Sequence, residues 1–119
     1  MKQALVVDER GAVGDFAAST LRESEYELTV VGSLQEALAL VTLAPYHLIM
    51  IAQPALCPQA LWRMVESIKH RSSDATLILV QAENADGSFH TRAQRLGAIV
   101  LSTPLDVAAR AAIEGATLG

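Results

Sequence analysis

Five short apolar runs, rich in β-branched residues, recur along this chain, and each is followed by a stretch whose apolar residues repeat at helical spacing. No other feature narrows the fold as far. A strand period of two alternating with a helix period near 3.6, with short connections, calls for a parallel sheet with helices on both faces. The runs are Gln3–Asp8, Leu28–Val31, His47–Ala52, Thr76–Val80 and Ala98–Leu101. The third is apolar throughout after its first residue, as expected of a central strand covered on both sides.

The intervening stretches read as helices. Val13, Phe16, Ala17, Thr20 and Leu21 form one stripe over Ala12–Ser24. Ser33 and Glu36 have the spacing of a capping box. The helix they open carries Leu34, Ala37, Leu38 and Val41 and is expected to stop before Pro45. Pro58 suits the first turn of a third helix that buries Leu61, Met64, Val65 and Ile68 and frays over 70–74. Trp62 falls between core positions Leu61 and Val65, and its ring is expected to be partly exposed. A fourth helix near Ser88–Leu96 is closed by Gly97. A fifth, with Asp106 as N-cap, presents Val107, Ala111 and Ile113 before a frayed end at Gly115–Gly119.

The expected fold is therefore α/β, a three-layer α/β/α sandwich in the flavodoxin-like strand order 2-1-3-4-5, spanning residues 1–119 as a single domain. In that order the functional crevice lies at the carboxyl ends of the first and third strands. The residues to interrogate are those that end strands: Asp8, Ala52, Gln81 and Ser102–Thr103.

Composition removes several function classes. A net charge of −4 with only two lysines lacks the basic footprint of unaided nucleic-acid binding. The one cysteine, Cys57, excludes an internal disulfide framework, and no cation near it in sequence would activate its thiol. His47, His70 and His90 show no metal spacing. The start turns acidic too early for a signal peptide and no apolar run reaches membrane-spanning length, so the expected location is the cytoplasm, with no membrane contact. Gly11 and Gly14, three apart after the first strand, fall short of a nucleotide-binding fingerprint, and Asp8–Glu9 at the same turn would repel a phosphate.

The residues at the strand ends bring a resemblance into view. Ala4-Leu-Val-Val-Asp8-Glu9 resembles the acidic signature of bacterial response-regulator receiver domains. His47-Leu-Ile-Met-Ile-Ala52 is similar to the third strand of that family and Leu77-Ile-Leu-Val-Gln81-Ala82 to the fourth. Gly97-Ala98 and Thr103-Pro104 resemble its Gly-Ala and Lys-Pro landmarks, and the resemblance covers nearly the whole chain.

The chemistry-bearing positions depart from the family pattern. Where the resemblance implies a phosphoryl-accepting aspartate, this chain has Ala52, whose methyl group has no lone pair to attack phosphorus or to bind magnesium. Gln81 stands where the family carries a switch hydroxyl. Thr103 stands where it carries a lysine, and a one-residue slip brings only Ser102. Ile99, Val100 and Leu101 leave no activation-linked aromatic on the fifth strand. The expectation is a degenerate, or pseudo-, receiver with no catalytic residue and no resident cofactor. Asp8 and Glu9 remain either as a vestigial, weak magnesium site or as carboxylates that are solvated or paired with a cation such as Arg10.

The family commonly signals through the face made by the fourth helix, fifth strand and fifth helix. On the matching segments this chain offers Arg92, Gln94, Arg95, Asp106, Arg110 and Glu114, either as a homodimer face or as an ordinary solvated surface. Three functions follow. The first is a phosphorylation-independent interaction module that controls a protein partner or an attached effector, with transcription control the expected output and any DNA contact made by that effector. The second is a small-molecule sensor using a cleft vacated at Ala52 and bounded by Asp8, Gln81 and Thr103. The third, phosphotransfer onto Asp8, Glu9 or Thr103, is ranked last, because the resemblance implies that those positions are phosphate or metal contacts and not the in-line nucleophile.

Overall fold

The structure, a computed structural model, describes residues 2–8, 12–21, 26–52, 58–72, 74–81, 87–102 and 107–118. Five strands alternate with five helices: β1 (Lys2–Val7), α1 (Ala12–Leu21), β2 (Tyr26–Val31), α2 (Leu34–Leu43), β3 (Leu48–Ala52), α3 (Pro58–Arg71), β4 (Thr76–Gln81), α4 (Gly87–Arg95), β5 (Ile99–Ser102) and α5 (Val107–Leu118). All strand pairs are parallel and the sheet order is β2-β1-β3-β4-β5, as the alternation requires.

The pleat sorts the core into two layers. On one face Leu5, Val7, Ile49, Ile51, Leu77 and Leu79 pack with Ala37 and Val41 of α2, Val65 and Ile68 of α3, and Ala93 of α4. On the other, Ala4, Val6, Leu48, Met50, Ile78 and Val80 pack with Ala17 and Leu21 of α1 and Ile113 of α5. Alternate residues of one strand thus serve opposite layers, which is why β3 and β4 read as unbroken apolar runs.

Local signals explain the ends of several elements. Ser33 caps α2, its hydroxyl accepting from the Glu36 N–H at 3.2 Å. The helix stops at Leu43, where the Ala44 N–H still donates to the Leu40 carbonyl at 3.0 Å and Pro45 forbids another turn. After α4 the chain reverses at Gly97, whose φ of 75° lies in the left-handed region that a Cβ disfavours.

Three expectations are corrected. Residues 115–118 are not frayed: α5 continues through Gly115 to Leu118. One glycine costs about 1 kcal/mol of helix propensity, and the alanine-rich sequence around it outweighs that. Trp62 is not partly exposed but 7% accessible, inside the core layer with Val65, Ile68 and Ala93. The inward stripe of α3 runs Trp62, Val65, Ile68, at the i, i+3, i+6 spacing that keeps one helix face toward the core. Ala111 also faces solvent, while Ile113 of the same helix is fully buried.

Candidate functional site

Strand register gathers the candidate residues on one rim. Val7 pairs with Ile51, so Asp8 and Ala52, each one residue further, end neighbouring strands. Ala52 pairs with Val80, and Gln81 pairs with Ser102. The carboxyl ends of β1, β3, β4 and β5 therefore meet at the crevice the topology demands. Glu9, Thr103, Asp106 and Cys57 lie outside the described residues.

Asp8 is 8% exposed, and its backbone N–H donates to the Val31 carbonyl at 3.0 Å. Its Oδ2 accepts from the Gly14 N–H at 3.2 Å, in the first turn of α1. A carboxylate at this place serves the unpaired amides and the positive end of the helix dipole. Gly14 permits the approach: a Cβ there would stand 3.1 Å from Cγ1 of Val30 on β2. The Gly14 amide that might have faced a phosphate is thus engaged by Asp8.

Asp8→Ala is expected to lower the unfolding free energy by about 1.5–3 kcal/mol, because it strands a buried N–H at the start of α1. Urea unfolding followed by circular dichroism measures it, and a change below about 0.5 kcal/mol would remove Asp8 from the support of that helix.

Ala52 is half-buried and packs against the layer that contains Met50, Val80 and Ile113. It contributes only a methyl group to the carboxyl end of β3. Gln81 is half-buried and its Oε1 is shielded from solvent. Among the described residues, only part of the expected magnesium ligand set is present, because Glu9 lies outside them. Ala52 offers no ligand, one Asp8 oxygen is committed to α1, and among the described residues no three His, Cys, Asp or Glu side chains converge.

The charged residues expected on the α4–β5–α5 side are divided between two places. Arg110 and Glu114 pair with each other along α5 at 3.2 Å, each side chain about half exposed, in an i,i+4 contact of small energetic worth. Arg92 and Arg95 instead line a hollow of about 470 Å³ shared with α3, and Gln94 is exposed beside them. The Arg92 guanidinium lies 5.7 Å from the centre of the Trp62 ring. Nothing in the sequence links residue 62 to residue 92; only the packing of α3 beside α4 does.

The five-stranded parallel sheet in the order 2-1-3-4-5 with five helices is the CheY-like, flavodoxin-like fold, and similarity to solved structures supports it. An orphan response regulator of H. pylori superposes with a TM-score of 0.80 at 19% identity, covering 98% of this chain and 96% of that one. A pilus assembly-related protein from Burkholderia pseudomallei gives 0.79 at 24% identity, with 99% and 90% covered. A protein described as an adenylate cyclase from Rhodopirellula baltica gives 0.77 at 20% identity, with 98% and 87% covered. No protein-family model matches the sequence, and no curated protein matches it significantly. Three such different descriptions at low identity establish the fold and leave the activity to the site. Among the described residues no helix is long and apolar enough to cross a membrane.

Proposed function

We propose that this chain is a phosphorylation-independent pseudo-receiver, a protein-interaction module that regulates a partner or an attached effector in bacterial-type signal transduction. The observation that carries the reading is Ala52 at the end of β3, beside Asp8 and Gln81, in the position where a receiver needs a nucleophilic carboxylate. The sheet and both helical layers are kept. What remains is a rigid scaffold whose output is set by what it binds. Transcription control, with DNA contacted by an effector and not by this acidic domain, is the output we favour, in the cytoplasm.

The test is an amide NMR titration of the chain with magnesium and then with beryllofluoride, a phosphoryl mimic. The expected result is only weak, salt-like change near Asp8 and Glu9. Saturable shifts spreading from the strand ends to α4 would sink the reading, and the chain would be a working switch with another acceptor.

A further inference from the structure

Four of the seven arginines in this chain stand on two neighbouring helices: Arg63 and Arg71 on α3, Arg92 and Arg95 on α4. On α3 the positions 63, 66, 67, 70 and 71 recur at i, i+3, i+4, i+7 and i+8, the spacing of a single helical stripe. Here the stripe is polar and faces outward. The 470 Å³ hollow lies between Arg63 and Glu66 on one side and Arg92, Arg95 and Leu96 on the other, with Trp62 at its base. A second hollow continues along α3 from Arg63 to Arg71.

Three features distinguish this groove from an ordinary solvated surface. First, among the described residues none of the four arginines makes an ion pair, so their charge is not spent within the fold. Second, Arg92 is held over the Trp62 ring, so part of the rotamer entropy that binding would cost has already been lost. Third, the Ser67 hydroxyl donates back to the Arg63 carbonyl at 3.0 Å, so it does not compete with the exposed guanidinium groups and His70 ring of the stripe for a ligand. A chain of net charge −4 that concentrates cations in this way has a local field opposite to its overall one.

The shape and charge restrict the occupant. Arg63 to Arg71 spans eight residues of helix, about 12 Å, which matches about four residues of extended chain. Carboxylates at alternate positions of an extended segment point to one side, about 7 Å apart, and reach successive guanidinium groups. Glu66 breaks the positive stripe and disfavours a dense polyphosphate. The net negative charge does the same for a nucleic-acid backbone. Leu96 and the edge of Trp62 add an apolar contact that an amino-acid side chain can use.

We infer that the α3–α4 groove docks an extended acidic peptide segment of a partner protein. The inference deepens the interaction-module reading and rests on it for the kind of partner.

The test uses the isotope-labelled chain and a blocked pentapeptide, Glu-Leu-Glu-Tyr-Glu, as the probe. The same peptide with lysine for glutamate, and inorganic triphosphate, serve as comparisons. Expected are saturable amide shifts at 63–71 and 92–96, weakened several-fold between about 50 mM and about 300 mM salt, and an affinity reduced about tenfold or more in R63E/R95E. Both substituted side chains are exposed and neither is the cation over the Trp62 ring, so circular dichroism should be unchanged. R95Q, a milder change, should weaken binding about threefold, and it carries the test if the double variant fails to fold. Equal affinity in the variants, equal binding of the lysine peptide or absence of binding overturns the inference. Tighter binding of triphosphate overturns it in favour of a phosphate ligand. Groove shifts that follow protein concentration alone overturn it in favour of a second copy of this chain. Loss of peptide binding leaves the beryllofluoride result at Ala52 untouched, so the two readings fail separately.

Discussion

Trp62→Ala is expected to lower the unfolding free energy by about 3–5 kcal/mol. The indole is 7% exposed and packs with Val65, Ile68 and Ala93, so truncation removes a large apolar surface from the α2–α3–α4 layer and leaves a void between two helices. The surrounding atoms cannot collapse into a space that size without moving α4, which is why the cost exceeds simple transfer. The Arg92 guanidinium also loses the ring beneath it. Unfolding must be followed by circular dichroism, because the substitution removes the only tryptophan. Trp62→Phe keeps a ring in the layer and should recover more than half of the loss. A cost below about 1 kcal/mol for the alanine variant would place the indole outside the core.

Ile78→Ala tests the opposite layer, with an expected loss of about 2–5 kcal/mol. Ile78 is fully buried on β4, in register with Met50 on β3 and Ile99 on β5, and packs in the layer with Ala17 and Ile113. Its layer includes side chains from helices α1 and α5, Ala17, Leu21 and Ile113. Ile78→Val removes a single methylene and should cost about 0.5–1.5 kcal/mol. Thermal unfolding of both variants, monitored by Trp62 fluorescence from the far side of the sheet, would show whether the two layers melt together. Equal stability of wild type and the alanine variant would contradict the burial of β4.

The strands, their order and the capped start of α2 were legible because each rests on short-range chemistry: period two, period 3.6, a serine hydroxyl three residues from an amide, a proline that ends a turn. The orientation of α3 was less legible. Trp62 stands beside other apolar residues of α3, and periodicity alone does not say that its ring turns toward the sheet, where it joins the core layer with Val65, Ile68 and Ala93. Gly115 suggested a frayed end, whereas the alanines around it keep α5 helical to Leu118.

At the site, Asp8 and Ala52 were found because strand ends are readable. That Asp8 is bound to the Gly14 amide was not, since the bond depends on how closely α1 approaches β2. The groove between α3 and α4 was missed for a different reason. Arg63 and Arg92 are far apart in sequence, and each alone looks like a charge on a solvated helix.

The strand order has a consequence for how the sheet is assembled. β1 is the first strand made, yet it lies inside the sheet, between β2 and β3. β3 joins the free flank of β1, and from β4 onward each new strand joins the flank left open by the one before it, so the exposed ladder is handed from β3 to β4 to β5 as the chain lengthens. The last recipient has only four residues, Ile99–Ser102. A nascent chain therefore offers neighbouring molecules longer, apolar templates in β3 and β4, and the finished protein closes that side with a segment too short to recruit another strand firmly.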